Sequence, residues 1–212
     1  MFFSLQGEGP SAGTPAHFVR LQGCDVGCHW CDTKYSWPAG GGRELALERL
    51  WDEARSLGEA SLLVVTGGEP CEFPGLGALL DQALLRWPRV EVETSGILPP
   101  PRSNPHLFYN VSPKLPSATP RSAETWAHAK TWLEEPNATF KIVVGDDPDL
   151  AEALRLVALH QLPAARVMLM PEGVTDAEVR ARAAALAEAC KRHGFRLSPR
   201  LQVWMWGAKR GV

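Results

Sequence analysis

Six short apolar runs of strand length recur along the chain, with helical patterns between most of them. They are Ala16 to Leu21, Ser61 to Thr66, Val90 to Thr94, Leu107 to Val111, Thr139 to Val144 and Arg166 to Met170. Several are nearly continuous in apolar, β-branched residues, the signature of strands covered on both faces. Between them the period changes. Glu44 to Leu57 sets Leu47, Leu50, Trp51 and Ala54 on one helical face, and Gly75 to Trp87 does the same with Leu76, Leu79, Leu80 and Ala83. Pro148 suits the first turn of a helix whose Leu150, Leu154, Val157 and Ala158 share a side. Thr175, with Glu178 three residues on, is a capping-box pattern ahead of Val179, Ala183, Leu186, Ala187 and Cys190. Strand–helix alternation predicts an α/β fold of about six parallel βα units, too few to close a TIM barrel, hence a partial, open TIM-like barrel. The proline-rich stretch Leu98 to Pro105 cannot hold a helix, so one crossover is predicted as a loop.

The 212 residues are 45% hydrophobic, enough for one core, and no linker or repeat divides them, so one domain over 1–212 is expected. A net charge of -2 with scattered lysines and arginines leaves no footprint for a nucleic-acid backbone. No apolar run approaches the roughly 20 residues of a membrane span. The opening Met1-Phe2-Phe3-Ser4-Leu5-Gln6-Gly7-Glu8 turns polar too early for a signal peptide. A soluble, cytoplasmic protein is expected.

Three of the five cysteines lie within eight residues, as Cys24-x3-Cys28-x2-Cys31. Disulfide frameworks spread an even set along a secreted chain, so crowding of this kind points to metal. A tight loop after the first predicted strand can present three thiolates to three corners of a 4Fe–4S cluster, leaving one iron without a protein ligand. The competing reading is a zinc site with His29 as fourth ligand, although adjacent Cys28 and His29 diverge and zinc pairs usually have two or more residues between them. Cys190, on an apolar helix face, reads as a buried small hydrophobe, and Cys71 as a packed one.

The triplet, with the aromatic Trp30 before its third cysteine, resembles the radical S-adenosylmethionine superfamily. So does Thr66-Gly67-Gly68-Glu69-Pro70 after the second predicted strand, where two glycines would let carbonyls approach the cofactor's ammonium. Alone, that segment is an ordinary turn. Ser4-Leu5-Gln6-Gly7-Glu8-Gly9, Cys31-Asp32-Thr33, Ser112-Pro113-Lys114 and the tail Arg200 to Val212 narrow the resemblance to the 7-carboxy-7-deazaguanine synthases. It implies ring contraction of 6-carboxy-5,6,7,8-tetrahydropterin to 7-carboxy-7-deazaguanine with loss of ammonia, on the route to queuosine. It also implies a 4Fe–4S cluster, S-adenosylmethionine and Mg2+, a homodimer, and flavodoxin or ferredoxin as electron donor. A glycyl-radical-enzyme activase and a non-catalytic zinc module are the alternatives.

The resemblance distributes the residues as follows. Cys24, Cys28 and Cys31 hold the cluster and Thr33 the Mg2+. Trp30, Cys31, Asp32, Gly68, Ser112, Pro113 and Lys114 meet S-adenosylmethionine. Leu5, Gln6, Gly7, Glu8, Arg20, Thr66 and the carboxylate of Val212 meet the pterin. The residue chemistry agrees: Glu8 can accept from a pterin's donor edge, and Arg20 offers a fork to a carboxylate. Plainer roles compete. Arg20 can be a surface ion pair, Thr33 a turn stabiliser, Lys209 and Arg210 a solvated tail, and Trp204 and Trp206 packing on the sheet. Glu69 can orient its loop without touching a cofactor, and Glu93 is either a site residue or a buried ion-pair partner. Only Met1 to Phe3 precede Ser4 where the family carries an opening strand, so either that strand is short or the true start lies upstream, and Met170-Pro171-Glu172-Gly173 stands where a late cofactor contact is expected.

Overall fold

The computed structural model describes residues 1–207 and 209–211, so the reading of Val212 lies outside the described residues. Eight strands form one open sheet in chain order: β1 (Phe2–Leu5), β2 (Pro15–Leu21), β3 (Leu62–Gly67), β4 (Arg89–Thr94), β5 (Leu107–Val111), β6 (Ala138–Val144), β7 (Val167–Pro171) and β8 (Arg196–Leu197). β1 runs antiparallel to β2, and every later pair is parallel. This is the open, partial barrel that the alternation predicts, with β2 to β7 as the six expected strands. β1 is the short opening strand that the resemblance allows, and β8 is an addition. Four and two residues are too short to display a period.

Period-two alternation sorts each strand's side chains. One face carries Val19, Leu63, Val65, Val90, Val92, Leu107, Tyr109, Phe140, Ile142, Val167 and Leu169, all in one core with Trp51, Leu80, Leu156 and Leu186 from the helices. Fully burying a leucine such as Leu80 contributes about 1.5–3 kcal/mol, which makes this outer layer the main source of stability. The inner face begins apolar, with Ala16, Phe18, Leu62 and Val64 packed beside Phe2. Further along the same strands it turns polar at Arg20, Thr66, Glu93, Asn110 and Lys141. That change of character places the chemistry at the carboxyl ends of the strands.

The helices are α1 (Leu47–Ser56), α2 (Leu76–Ala83), α3 (Ser122–Trp126), α4 (Ala129–Glu134), α5 (Asp147–Leu159), α6 (Asp176–His193) and α7 (Leu201–Trp206). Asp146 caps α5, its side chain accepting from the Asp149 amide at 2.9 Å ahead of Pro148. The predicted capping box opens α6, and Gly194, left-handed at φ 73°, ends it. No helix joins β4 to β5. Arg102 instead pins that loop to Asp81 on α2 at 3.0 Å, and its carbonyl accepts from the Tyr109 hydroxyl at 2.7 Å. The short α3, α4 and α7 carry no readable period. In α7, Trp204 is 60% exposed and so does not pack on the sheet. Among the described residues no helix is long and apolar enough to cross a membrane.

Candidate active site

The loop after β2 is held from both sides by its own backbone. The Gly23 amide donates to Ser36 at 2.9 Å, Cys24 to Trp37 at 3.2 Å and His29 to Ala118 at 3.0 Å. Cys24, Cys28 and Cys31 gather around buried Val26 and Ile97 and line one cavity of about 160 Å3. Burial pushes the Cys24 thiol up to about 11 and also raises Cys28, where nearby Lys114 opposes the effect. Metal charge is what converts such thiols to thiolates. Among the described residues no three His, Cys, Asp or Glu side chains converge as the ligands of a single ion do. His29 is exposed, with Nδ1 3.1 Å from the Ala118 carbonyl and no place on the cavity wall. Three soft donors spread around one cavity fit a polynuclear iron–sulfur group better than a zinc point site.

The glycine-rich loop after β3 packs on this cysteine loop. A Cβ on Gly68 would stand 2.0 Å from the Gly23 carbonyl oxygen. On Gly67, which adopts φ +142°, it would stand 2.3 Å from that of Leu21. The glycines are thus needed for loop-on-loop contact, sealed by Gly68 and Glu69 amides donating to Leu21 and Gly23 at 3.0 and 2.8 Å. Glu69 is buried and fully used. Its carboxylate accepts from the Cys71 amide (3.0 Å), the Thr94 hydroxyl (2.5 Å) and the Ser95 amide and hydroxyl (2.7 and 2.6 Å). It orients the loop against the end of β4. Cys71 is half-buried, and burial with the neighbouring Glu69 charge pushes its thiol up to about 12.

Lys114 reaches the same cavity from beyond β5, its Nζ donating to the Ser112 hydroxyl at 3.0 Å and lying 5.5 Å from the Trp30 ring centre. Its carbonyl accepts from Ser122 and Trp126 of α3 at 2.7 and 2.9 Å, which gives that unforeseen helix a positioning role. Trp30, Asp32, Gly68, Ser112 and Lys114 all stand on the cavity wall with the thiols. Pro113 is buried just off it. Met170 is on the wall, whereas Glu172 turns away to pair with Arg182 at 3.2 Å.

A second cavity of about 420 Å3 adjoins the first. Leu5, Gln6, Gly7, Glu8, Arg20, Thr33 and Thr66 line it, together with the stacked rings' edge formed by Phe2 and Phe18. Among the described residues Arg20 makes no ion pair; its guanidinium lies 5.8 Å from the Tyr35 ring centre, and that of Arg210 lies 4.0 Å from it. Thr33 contacts Cys31, its amide 3.4 Å and its hydroxyl 3.5 Å from the sulfur. Glu93 accepts from Gln6 at 3.1 Å and Thr66 at 2.8 Å and faces both cavities.

Glu8 sits where the cavities meet. Lys141 of β6 approaches one carboxylate oxygen at 2.5 Å, while Arg200 (3.2 Å) and Gln202 (2.6 Å) hold the other. Burial opposes its charge, but the two cations outweigh that and hold the carboxyl at about 2. Lys141 and Arg200 escaped the sequence reading. A lysine alone in an apolar strand, Phe140-Lys141-Ile142, is the signal that marks the first; Arg200 has none. The β1–β2 loop is also zipped to the tail. The Gly9 amide donates to Ser198 Oγ at 2.9 Å and Leu201 to the Gly7 carbonyl at 3.0 Å. A Cβ on Gly7 would collide with the Gln202 side chain at 1.8 Å.

Residues 18–107 match the Radical SAM superfamily. A 7-carboxy-7-deazaguanine synthase of Pyrobaculum aerophilum is 41% identical over 217 aligned residues, which cover all of this chain and 95% of the relative. The chain belongs to the 7-carboxy-7-deazaguanine synthase family. A member from Halobacterium salinarum is 34% identical, across 97% of this chain and 88% of its own. The crystal structure of QueE from Escherichia coli superposes with a TM-score of 0.67 at 31% identity, covering 93% of this chain and 90% of that one. As a radical S-adenosylmethionine enzyme of this synthase family, the protein uses a 4Fe–4S cluster and S-adenosylmethionine.

Proposed function

We propose that this enzyme contracts the ring of 6-carboxy-5,6,7,8-tetrahydropterin to 7-carboxy-7-deazaguanine with release of ammonia, and is in that sense a carbon–nitrogen lyase. One observation carries the reading. A thiol-ringed cavity and a cavity suited to a planar anion share a wall built from Glu8, Asp32, Thr33, Thr66, Gly67 and Glu93.

Cys24, Cys28 and Cys31 would hold the cluster, with Trp30, Asp32, Gly68, Ser112 and Lys114 about S-adenosylmethionine. When bound and reduced, the pair supplies a carbon-centred radical able to take hydrogen from the substrate. The chain's own task is to bind, orient and exclude water. Gln6 and Glu93 offer donor and acceptor groups to the pterin's amide-like edge, Phe2 and Phe18 an apolar side for its ring, and Arg20 a fork for its carboxylate. Glu8 is already engaged by two cations and an amide, so its part is to fix that edge's surroundings as much as to bind. Thr33, a hard hydroxyl donor between the cavities, is the Mg2+ ligand in this reading. The substrate is a small molecule and the electron donor flavodoxin or ferredoxin. The working unit is a cytoplasmic homodimer whose chains are each one domain.

The test is anaerobic incubation of reconstituted enzyme with reductant, S-adenosylmethionine and 6-carboxytetrahydropterin, with products followed by mass spectrometry. Formation of 7-carboxy-7-deazaguanine, lost on Cys28→Ala, is expected. Cofactor turnover without that product would overturn the substrate reading.

A further inference from the structure

Arg200 spends its whole guanidinium on three separate segments. Nε donates to Glu8 in the β1–β2 loop at 3.2 Å, Nη2 to Asp32 in the cysteine loop at 2.5 Å, and Nη1 to the Gly173 carbonyl beyond β7. It is 8% exposed. Among the described residues its bond to Asp32 is the one ion pair joining the cysteine loop to the zipped N-terminal loop and tail. Glu8 and Asp32 each line both cavities, and Arg200 lines the thiol-ringed one. Glu8 is meanwhile anchored to the barrel floor by Lys141.

We propose that Arg200 is a positioning residue that couples occupancy of the cofactor cavity to affinity in the substrate cavity, by tying Asp32 to Glu8. The proposal rests on the substrate and cofactor assignments above. Asp32 is half-exposed, with a side chain 45% accessible, so it has freedom to lose when its cavity fills. Fixing Asp32 fixes the guanidinium, and through it Glu8 and the loop that bears Gln6. The second ligand then meets a wall already ordered and binds more tightly. Lysine substitutes only in part, because one ammonium cannot span three acceptors in fixed directions as a planar fork does.

The experiment measures 6-carboxytetrahydropterin binding to the anaerobic, cluster-loaded enzyme, with and without S-adenosylmethionine. The wild type is expected to show about a fivefold or larger tightening, and by linkage the same factor in the reverse titration. Arg200→Gln and Asp32→Asn are each expected to bring that factor close to one when S-adenosylmethionine is raised until it saturates the variant, and Arg200→Lys to leave an intermediate value. Asp32→Asn carries the test where Arg200→Gln fails to fold, since it removes a half-exposed charge. A wild-type factor of one, or a factor unchanged in both variants despite weaker binding, overturns the proposal. A wild type that binds no pterin under any condition overturns the substrate reading itself, and this inference with it.

Discussion

Glu69 in the glycine-rich loop and Glu8 in the β1–β2 loop are both largely buried acids at the same end of the barrel, yet their charges are met in opposite ways. Glu69 is surrounded by neutral donors, three of its four bonds coming from Thr94 and Ser95 at the end of the adjacent strand. Glu8 is met by cations brought from 133 and 192 residues away. The first arrangement is built within two consecutive βα units. The second exists only when the two edges of the open sheet come together. The difference teaches where rigidity and where adjustability lie. Dipoles of one compact unit hold the wall of the thiol-ringed cavity, whereas a long-range ion cluster holds the wall where the two cavities meet.

The largest expected effect breaks the compact side. Gly68→Ala puts a methyl 2.0 Å from a backbone oxygen that cannot retreat. Loss of about 3 kcal/mol or more, with failure to retain the cluster, is expected from denaturant titration and iron–sulfide analysis.

Glu8→Gln breaks the other side. Removing one partner of a buried ion cluster costs about 3–5 kcal/mol, because Lys141 stays behind unpaired and Arg200 keeps Asp32 as its one acid. Adding Lys141→Met should recover part of that loss, as the remaining acid–base count is then balanced. The same residue sets an acid limb. A carboxyl held at about 2 against an ordinary 4.5 adds stability that is complete above pH 4.5 and drains away as pH falls toward 2. Urea titrations of metal-free, reduced protein from pH 3 to 6 should show this slope in the wild type and a flatter one in Glu8→Gln.

Much of this was legible in the sequence because it is local. The six strands, the capping box, the helix-free crossover and the cysteine spacing each declare themselves within a dozen residues. The glycines were legible as a loop that a cofactor could approach, but their packing was not: they also admit the cysteine loop's backbone. Glu8 was legible as a candidate and does line both cavities, whereas its partners were not legible, since nothing near position 8 announces Lys141 or Arg200. β8 and the three short helices escaped because elements of two to six residues complete no period, and β1 was expected from the family resemblance alone. Pairing, not propensity, makes them.

Two smaller effects sharpen the contrast. Glu69→Gln keeps one acceptor oxygen but turns an amide NH2 toward groups that themselves donate, and a loss of about 2–3 kcal/mol by denaturant titration is expected. Thr175→Ala removes only the local cap of α6, far from either acid. It should cost about 1 kcal/mol and leave ligand binding unchanged in equilibrium dialysis.

The zip between Gly7–Gly9 and Ser198–Gln202 has a consequence in time. On the ribosome the three cysteines emerge early, but the Arg200 and Gln202 that complete the cluster around Glu8 in the proposed pterin site are made some 190 residues after Glu8. Contacts that close so long a loop form late in folding. A nascent chain can therefore own a cluster loop well before it owns a substrate site, and cluster insertion and substrate competence become separate events in its maturation.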